Sequence, residues 1–120
     1  MKILGLHYGG HDTSASITIN GKLIAACEEE RYNKDKHTRN FPINAIKDCL
    51  KISKLKINDI DIISYGNDPF LQIREKYLKL AIKDDYRIKA VVDDSLRIKN
   101  LFNTENLIRQ KLGFKKKIEF

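Results

Sequence analysis

Thr13-Ser14-Ala15-Ser16-Ile17-Thr18-Ile19-Asn20-Gly21-Lys22-Leu23-Ile24-Ala25-Ala26-Cys27-Glu28 is the stretch whose reading decides the fold. Residues 13 to 19 are rich in β-branched side chains, which pack well on a pleated surface. Asn20-Gly21 is the pair best able to adopt the positive φ angles of a type I′ turn, and Lys22 to Glu28 follows as the returning strand. Upstream, Lys2 to Tyr8 is short, apolar and followed by Gly9-Gly10, which predicts a strand entering a turn. Residues 2 to 28 are therefore predicted to form a three-stranded antiparallel meander, with Gly9-Gly10-His11-Asp12 as its first turn.

Outward from the meander, Glu29 to Asn40 carries Glu29, Glu30, Arg31, Lys34, Asp35, Lys36 and Arg39 without an apolar period, and predicts a loop. Pro42 is suited to the first helical position, and Ile43, Ile46, Cys49 and Leu50 follow at helical spacing, so 42–52 predicts an amphipathic helix covering the meander. Ile60 to Tyr65 predicts a buried strand ended by Gly66-Asn67-Asp68-Pro69. From Phe70 to Leu112 the pattern is helical, with Tyr77, Leu80 and Ala81 in one segment and Ile88, Val91, Val92 and Leu96 in another. A third segment predicts Asn103 or Thr104 as N-cap and Gly113 as stop. Lys117 to Phe120 predicts a strand cut short by the chain end, an expectation of an amino-terminal piece of a longer protein. The predicted class is α/β, a meander with a crossover helix and further parallel strands. Its order is that of one lobe of the actin and Hsp70-like (ribonuclease H-like) ATPases, in which the first turn approaches the nucleotide phosphates.

Bulk properties narrow the alternatives. A chain of 120 residues with 42% hydrophobic and 32% charged residues suits one globular domain. The net charge of +7 is spread along the chain, with 10 basic and 7 acidic residues in 1–60 and 13 and 9 in 61–120. With only Lys115 to Lys117 as a dense run and no nucleic-acid-binding signature, a nucleic-acid partner is not expected. Cys27 and Cys49 fit neither a disulfide scaffold nor a zinc knuckle and read as reduced core thiols. No apolar leader or membrane-length apolar run is present, which points to a cytoplasmic protein without a membrane partner.

Chemistry concentrates at the first turn. Gly9 and Gly10 allow close backbone approach to an anion, with His11, Asp12 and the hydroxyls of Thr13 and Ser14 beside them. A neutral imidazole next to a carboxylate and phosphate-binding amides can deprotonate a hydroxyl that attacks an acyl or phosphoryl centre. A tight turn in which Asp12 satisfies its own backbone is the competing reading. His7 and His11 are an i, i+4 pair, but on a strand and turn they need not share a face, and no metal ligand is assigned. Arg31, Lys36 and Arg39 could hold a phosphate or carbamoyl phosphate, or could be a solvated charge run.

The segments His11-Asp12-Thr13-Ser14-Ala15, Glu28-Glu29-Glu30-Arg31-Tyr32, Lys36-His37 and Phe41-Pro42 resemble, in order and spacing, the amino-terminus of the O-carbamoyltransferases, which include nodulation-factor, cephalosporin and aminoglycoside-antibiotic enzymes. The likeness covers residues 3 to about 50, with weaker similarity at 55–66 and 107–120 and none at 70–103. It implies residues 1–120 as an incomplete amino-terminal lobe of an ATPase-like domain that converts carbamoyl phosphate and ATP to carbamoyl-adenylate and passes the carbamoyl group to a hydroxyl of a sugar or natural product. On that resemblance His11 is the catalytic base. Gly10, Asp12, Thr13 and Ser14 face the phosphates, and Arg31, Lys36 and His37 contact donor or acceptor. A divalent metal accompanies ATP, with its ligands expected beyond residue 120. Thr13 stands where the family commonly has Ser, and Thr38 where an Asp commonly follows Lys-His. The fragment alone is expected to be inactive, and self-association through an uncovered apolar face is expected. The alternative is a binding or regulatory module that keeps the fold without the chemistry.

Overall fold

The computed structural model describes residues 1–79, 82, 89 and 91–120, so the helical positions expected at Leu80, Ala81 and Ile88 lie outside the described residues. The chain divides into two compact units, Met1–Gly66 with Phe114–Phe120, and Asn67–Gly113.

The first unit is built on a five-stranded sheet of β1 (Lys2–His7), β2 (Ser14–Ile19), β3 (Lys22–Glu28), β4 (Ile62–Tyr65) and β5 (Lys117–Glu119). Their order is β3-β2-β1-β4-β5. The first three strands are antiparallel neighbours, whereas β4 and β5 join in parallel. This is the predicted α/β architecture. Asn20 and Gly21 take φ of 50° and 80°, the turn their types favour. The register slips once, between Ile17 and Thr18, a bulge that leaves Ile24 of β3 unmatched.

Period-two alternation places the core on one face. Ala25, Ile17, Leu4 and Ile63 align across four strands in one row, and Ala15, Leu6 and Tyr65 in the next, all buried. The opposite face carries Ile3, Gly5 and His7 beside Ser14, Ser16 and Thr18, all half-buried. A Cβ on Gly5 would stand 2.6 Å from Ser16 Oγ, so this strand pair packs closely there.

Two helices follow β3. The expected loop Glu29–Asn40 contains a short helix, α1 (Glu30–Asn33), which ends at Lys34 in the left-handed region (φ 56°). The crossover helix α2 runs Ile43–Ser53, and Pro42 precedes it as the N-cap residue instead of opening it. Ala45, Ile46 and Cys49 bury its apolar face. The fourth strand begins at Ile62, two residues later than expected, because Ile57–Asp59 forms a 3₁₀ turn and the Asp61 carboxylate turns to accept the Lys2 N–H at 2.7 Å. That hydrogen bond holds the Asp61 carboxyl below its ordinary value. Lys116 Nζ donates to the carbonyls of Asn58 and Ile60 at 2.9 and 2.8 Å, tying the start of β5 to the entry of β4.

The described residues of the second unit are mostly helical. In it, α3 (Pro69–Ile73) is capped by Asp68, whose Oδ1 accepts from the N–H groups of Phe70 and Leu71, and it widens into a π-helical turn over Arg74–Leu78. The helices α4 (Ser95–Phe102) and α5 (Thr104–Leu112) follow, and Gly113 closes α5 at φ 64°, as predicted. Phe70 and Phe102 meet edge to face at 5.6 Å, and Tyr77 donates to Asp94 Oδ2 at 2.7 Å. Among the described residues no helix is long and apolar enough to cross a membrane.

Of the two thiols, Cys49 is the core residue expected, whereas Cys27 is only half-buried because it lies at the β3 end of the meander. Cys49 Sγ donates to the Ala15 carbonyl at 3.4 Å. Burial, helped by a hydrogen bond with Cys27, pushes the Cys49 thiol from 9.0 up to about 12. The raised value means that the unfolded chain loses this proton first as pH rises. The contribution is therefore complete below about pH 9 and is lost as the pH climbs toward 12. Urea denaturation should show stability falling over that interval, with a shallower fall in Cys49→Ala.

Candidate functional site

The turn between β1 and β2 is held from below by aromatic packing. Tyr8 contacts Phe41 and Tyr65 at ring-centroid distances of 5.1 and 4.9 Å, and the Tyr65 hydroxyl donates to the Tyr8 carbonyl at 2.7 Å. Gly9 follows at φ 80°, a conformation that suits a residue without Cβ, and its N–H donates to the Arg39 carbonyl at 3.3 Å. His7 lies within 3.1 Å of the His11 carbonyl through Nε2. A carbonyl only accepts, so His7 Nε2 carries the proton and braces the turn. A Cβ on Gly10 would come within 3.5 Å of that nitrogen. The i, i+4 histidines are thus joined through backbone, and among the described residues no three His, Cys, Asp or Glu side chains gather as a metal site.

Thr13 and Thr38 tie the turn to the segment after α1. Both are buried, at 1% and 2% exposure, and Thr13 Oγ1 donates to the Thr38 carbonyl at 2.8 Å. Thr38 Oγ1 in turn accepts from Asn33 Nδ2 at 3.3 Å and from the Asn40 N–H at 3.4 Å. One residue before each threonine, Asp12 and His37 both adopt φ of 58°. Non-glycine residues rarely occupy that region, although Asp and His tolerate it better than most. The result is a contact between segments 25 residues apart: His37 Nδ1 stands 3.1 Å from Asp12 Oδ1. The His11 ring meets the His37 ring edge to face, with centroids 5.6 Å apart and planes at 88°.

The structure therefore brings His11, Asp12 and His37 together, with Gly10 and Thr13 beside them. Lys36 is exposed on a turn next to His37. Arg31 is placed differently: it pairs with Glu28 at 3.5 Å and, with Ser14, Glu28 and Tyr32, lines an open recess of about 500 Å³. The Tyr32 hydroxyl donates to Asp48 Oδ2 at 2.6 Å, and this bond to a carboxylate raises the phenol well above its ordinary value.

Two residues that shape this region carry no sequence signal for it. Thr38 stands in sequence only where a carboxylate is common, yet it is the buried knot of the loop. Glu29 is 2% exposed, and its carboxylate caps α2 from outside the helix: Oε1 accepts from Asn44 N–H and Asn44 Nδ2, and Oε2 from Ala45 N–H at 2.8 Å. A carboxylate here satisfies otherwise unpaired amides and lies at the positive end of the helix dipole. Its neighbours Glu28 and Glu30 have the same chemistry, so only burial distinguishes it.

Residues 2–118 match the family described as Carbamoyltransferase N-terminus. An uncharacterised protein of Synechocystis sp. is 33% identical over 82 residues, which cover 66% of this chain and 13% of that protein. Nodulation protein NolNO of Sinorhizobium fredii is 42% identical over 55 residues, covering 46% of this chain and 8% of its own length. The chain thus spans a small part of these relatives. Among solved structures, YeaZ from Pseudomonas aeruginosa aligns with a TM-score of 0.43 and 15% identity, covering 54% of this chain and 29% of that one.

The buried hydroxyl of Thr13 is the group on which the turn geometry rests. Thr13→Val should lower stability by about 1–3 kcal/mol, since it leaves the Thr38 carbonyl without its donor. Thr13→Ser, which keeps the hydroxyl, should lose less; chemical denaturation of both variants measures the difference.

Proposed function

This chain belongs to the Carbamoyltransferase N-terminus family over residues 2–118, and we propose that its first turn supplies the proton-accepting wall of an ATP-dependent O-carbamoyltransferase. The donor is carbamoyl phosphate, activated as carbamoyl-adenylate, and the acceptor is a hydroxyl of a sugar or natural product. The observation that carries the reading is the convergence of His11, Asp12 and His37 beside a turn of low steric bulk. Family membership brings the carbamoyl group, and these side chains supply the proton chemistry that its transfer requires.

In the proposed step His11 takes the proton of the acceptor hydroxyl. The freed electron pair on oxygen forms the bond to the carbamoyl carbon, and the bond from that carbon to the phosphate oxygen of the adenylate breaks, its pair leaving with AMP. The product is the O-carbamate, and the proton remains on the imidazole. Lys36, on the exposed turn, supplies positive charge for donor oxygens, and Arg31 borders the recess as a contact to donor or acceptor. Gly10, Asp12, Thr13 and Ser14 form the backbone that the phosphates approach. Thr13 acts there through its tie to Thr38, because its hydroxyl already has a partner. ATP with its divalent metal supplies activation of the donor. The described residues of this chain form no metal cage.

The test uses the full-length protein carrying this segment, incubated with ATP, carbamoyl phosphate and hydroxylated sugars, with the O-carbamate read by mass spectrometry. His11→Asn should lower turnover by about 10²-fold or more with the fold retained by circular dichroism. Absence of both ATP consumption and carbamate from the wild-type protein rejects the reading.

A further inference from the structure

The His11 ring has no hydrogen-bonding orienter among the described residues; what touches it is the ring of His37, edge to face at 5.6 Å. An imidazole that is to accept a proton must be held in one orientation, since misplacement by an ångström in an active site can reduce rate by about 10²-fold. His37 is itself fixed. Its Nδ1 lies 3.1 Å from Asp12 Oδ1. An ionised carboxylate only accepts, so Nδ1 carries the proton and the tautomer of His37 is set. Asp12 and His37 both hold left-handed backbone at φ 58°, each one residue before a buried threonine of the Thr13–Thr38 tie. Two residues in left-handed backbone, meeting across segments 25 residues apart, are held there by the surrounding structure.

We propose that Asp12 and His37 are positioning residues for the reacting imidazole: Asp12 orients His37, and the edge of the His37 ring sets the plane of His11. This deepens the carbamoyl-transfer reading and rests on it. The arrangement predicts which feature of each residue matters. For His37 it is the aromatic edge together with the tie to Asp12, not proton transfer by His37 itself.

Two measurements test it. In this chain, ¹⁵N-detected NMR should show His37 in the Nδ1–H tautomer in the wild type and a mixture of tautomers in Asp12→Ala. The ring-current shift on His11 should disappear in His37→Ala and persist in His37→Phe. In the full-length protein, His37→Ala and Asp12→Ala should lower kcat by about 10–100-fold with little change in KM for the carbamoyl donor. His37→Phe, which keeps the ring edge but loses the tie to Asp12, should fall no further than Asp12→Ala, by about 10-fold. The proposal is overturned if His37→Phe is as inactive as His11→Asn, which would make His37 itself a reacting group, or if His37→Ala turns over like wild type. A wild-type protein without carbamoyl transfer, in which the NMR coupling is nevertheless present, would reject the functional reading and leave the contact a structural tie.

Discussion

The buried carboxylate of Glu29 is the constraint on which the rest of the site depends. It leaves the end of β3 and caps the first amides of α2, so the segment between them, residues 30 to 42, must close on itself. A carboxylate removed from water is costly unless its oxygens are hydrogen-bonded, and three donors from Asn44 and Ala45 meet that requirement. The closed segment is then pinned in its middle by Thr13 and Thr38, and its tip carries Lys36 and His37 to the first turn. The Glu29 carboxylate bonds to none of the candidate site residues, although its backbone N–H donates to the Thr13 carbonyl at 2.9 Å, and the position of the tip is set by the closure it enforces.

Magnitudes show which contacts hold this arrangement and which merely use it. Asp12 and His37 have side-chain exposures of 62% and 57%. Contacts between side chains this exposed, hydrogen bonds and ion pairs alike, contribute about 0–1 kcal/mol. Each non-glycine residue in left-handed backbone costs about 1–2 kcal/mol. The contact between the two side chains therefore cannot offset the strain beneath it. Buried hydrogen bonds at about 1 kcal/mol each, with the loss of more when a buried partner is orphaned, are what hold the two backbones. The threonine tie and the Glu29 cap belong to that class.

The meander was legible because its information is local. Asn20-Gly21 names its own turn, and the alternation of Leu4, Leu6, Ile17 and Ala15 needs only a period of two. Gly113 marks the end of α5 for the same reason, a left-handed cap that glycine adopts freely. The short helix α1 was not legible: one turn inside a run of charges has no apolar period, and it closes on Lys34, a residue type with no preference for that conformation. The start of β4 was missed because Asp61, polar and next to Ile60, reads as strand alternation until Lys2 supplies the amide it binds.

The site divides along the same line between local and distant information. His11 and Asp12 are adjacent, and the glycines before them announce a turn, so sequence could place both at one point. That Asp12 faces His37 depends on closure of a segment whose cap is one glutamate among three consecutive ones, and no pattern in Glu28-Glu29-Glu30 says which is buried. The spacing that was visible, His7 to His11, joins a side chain to a backbone carbonyl and leaves the second imidazole to other partners. An imidazole pair in the chemical sense does exist here, but it is His11 with His37. Its formation requires the buried threonines on either side, each of which looks in sequence like an ordinary polar residue of a loop.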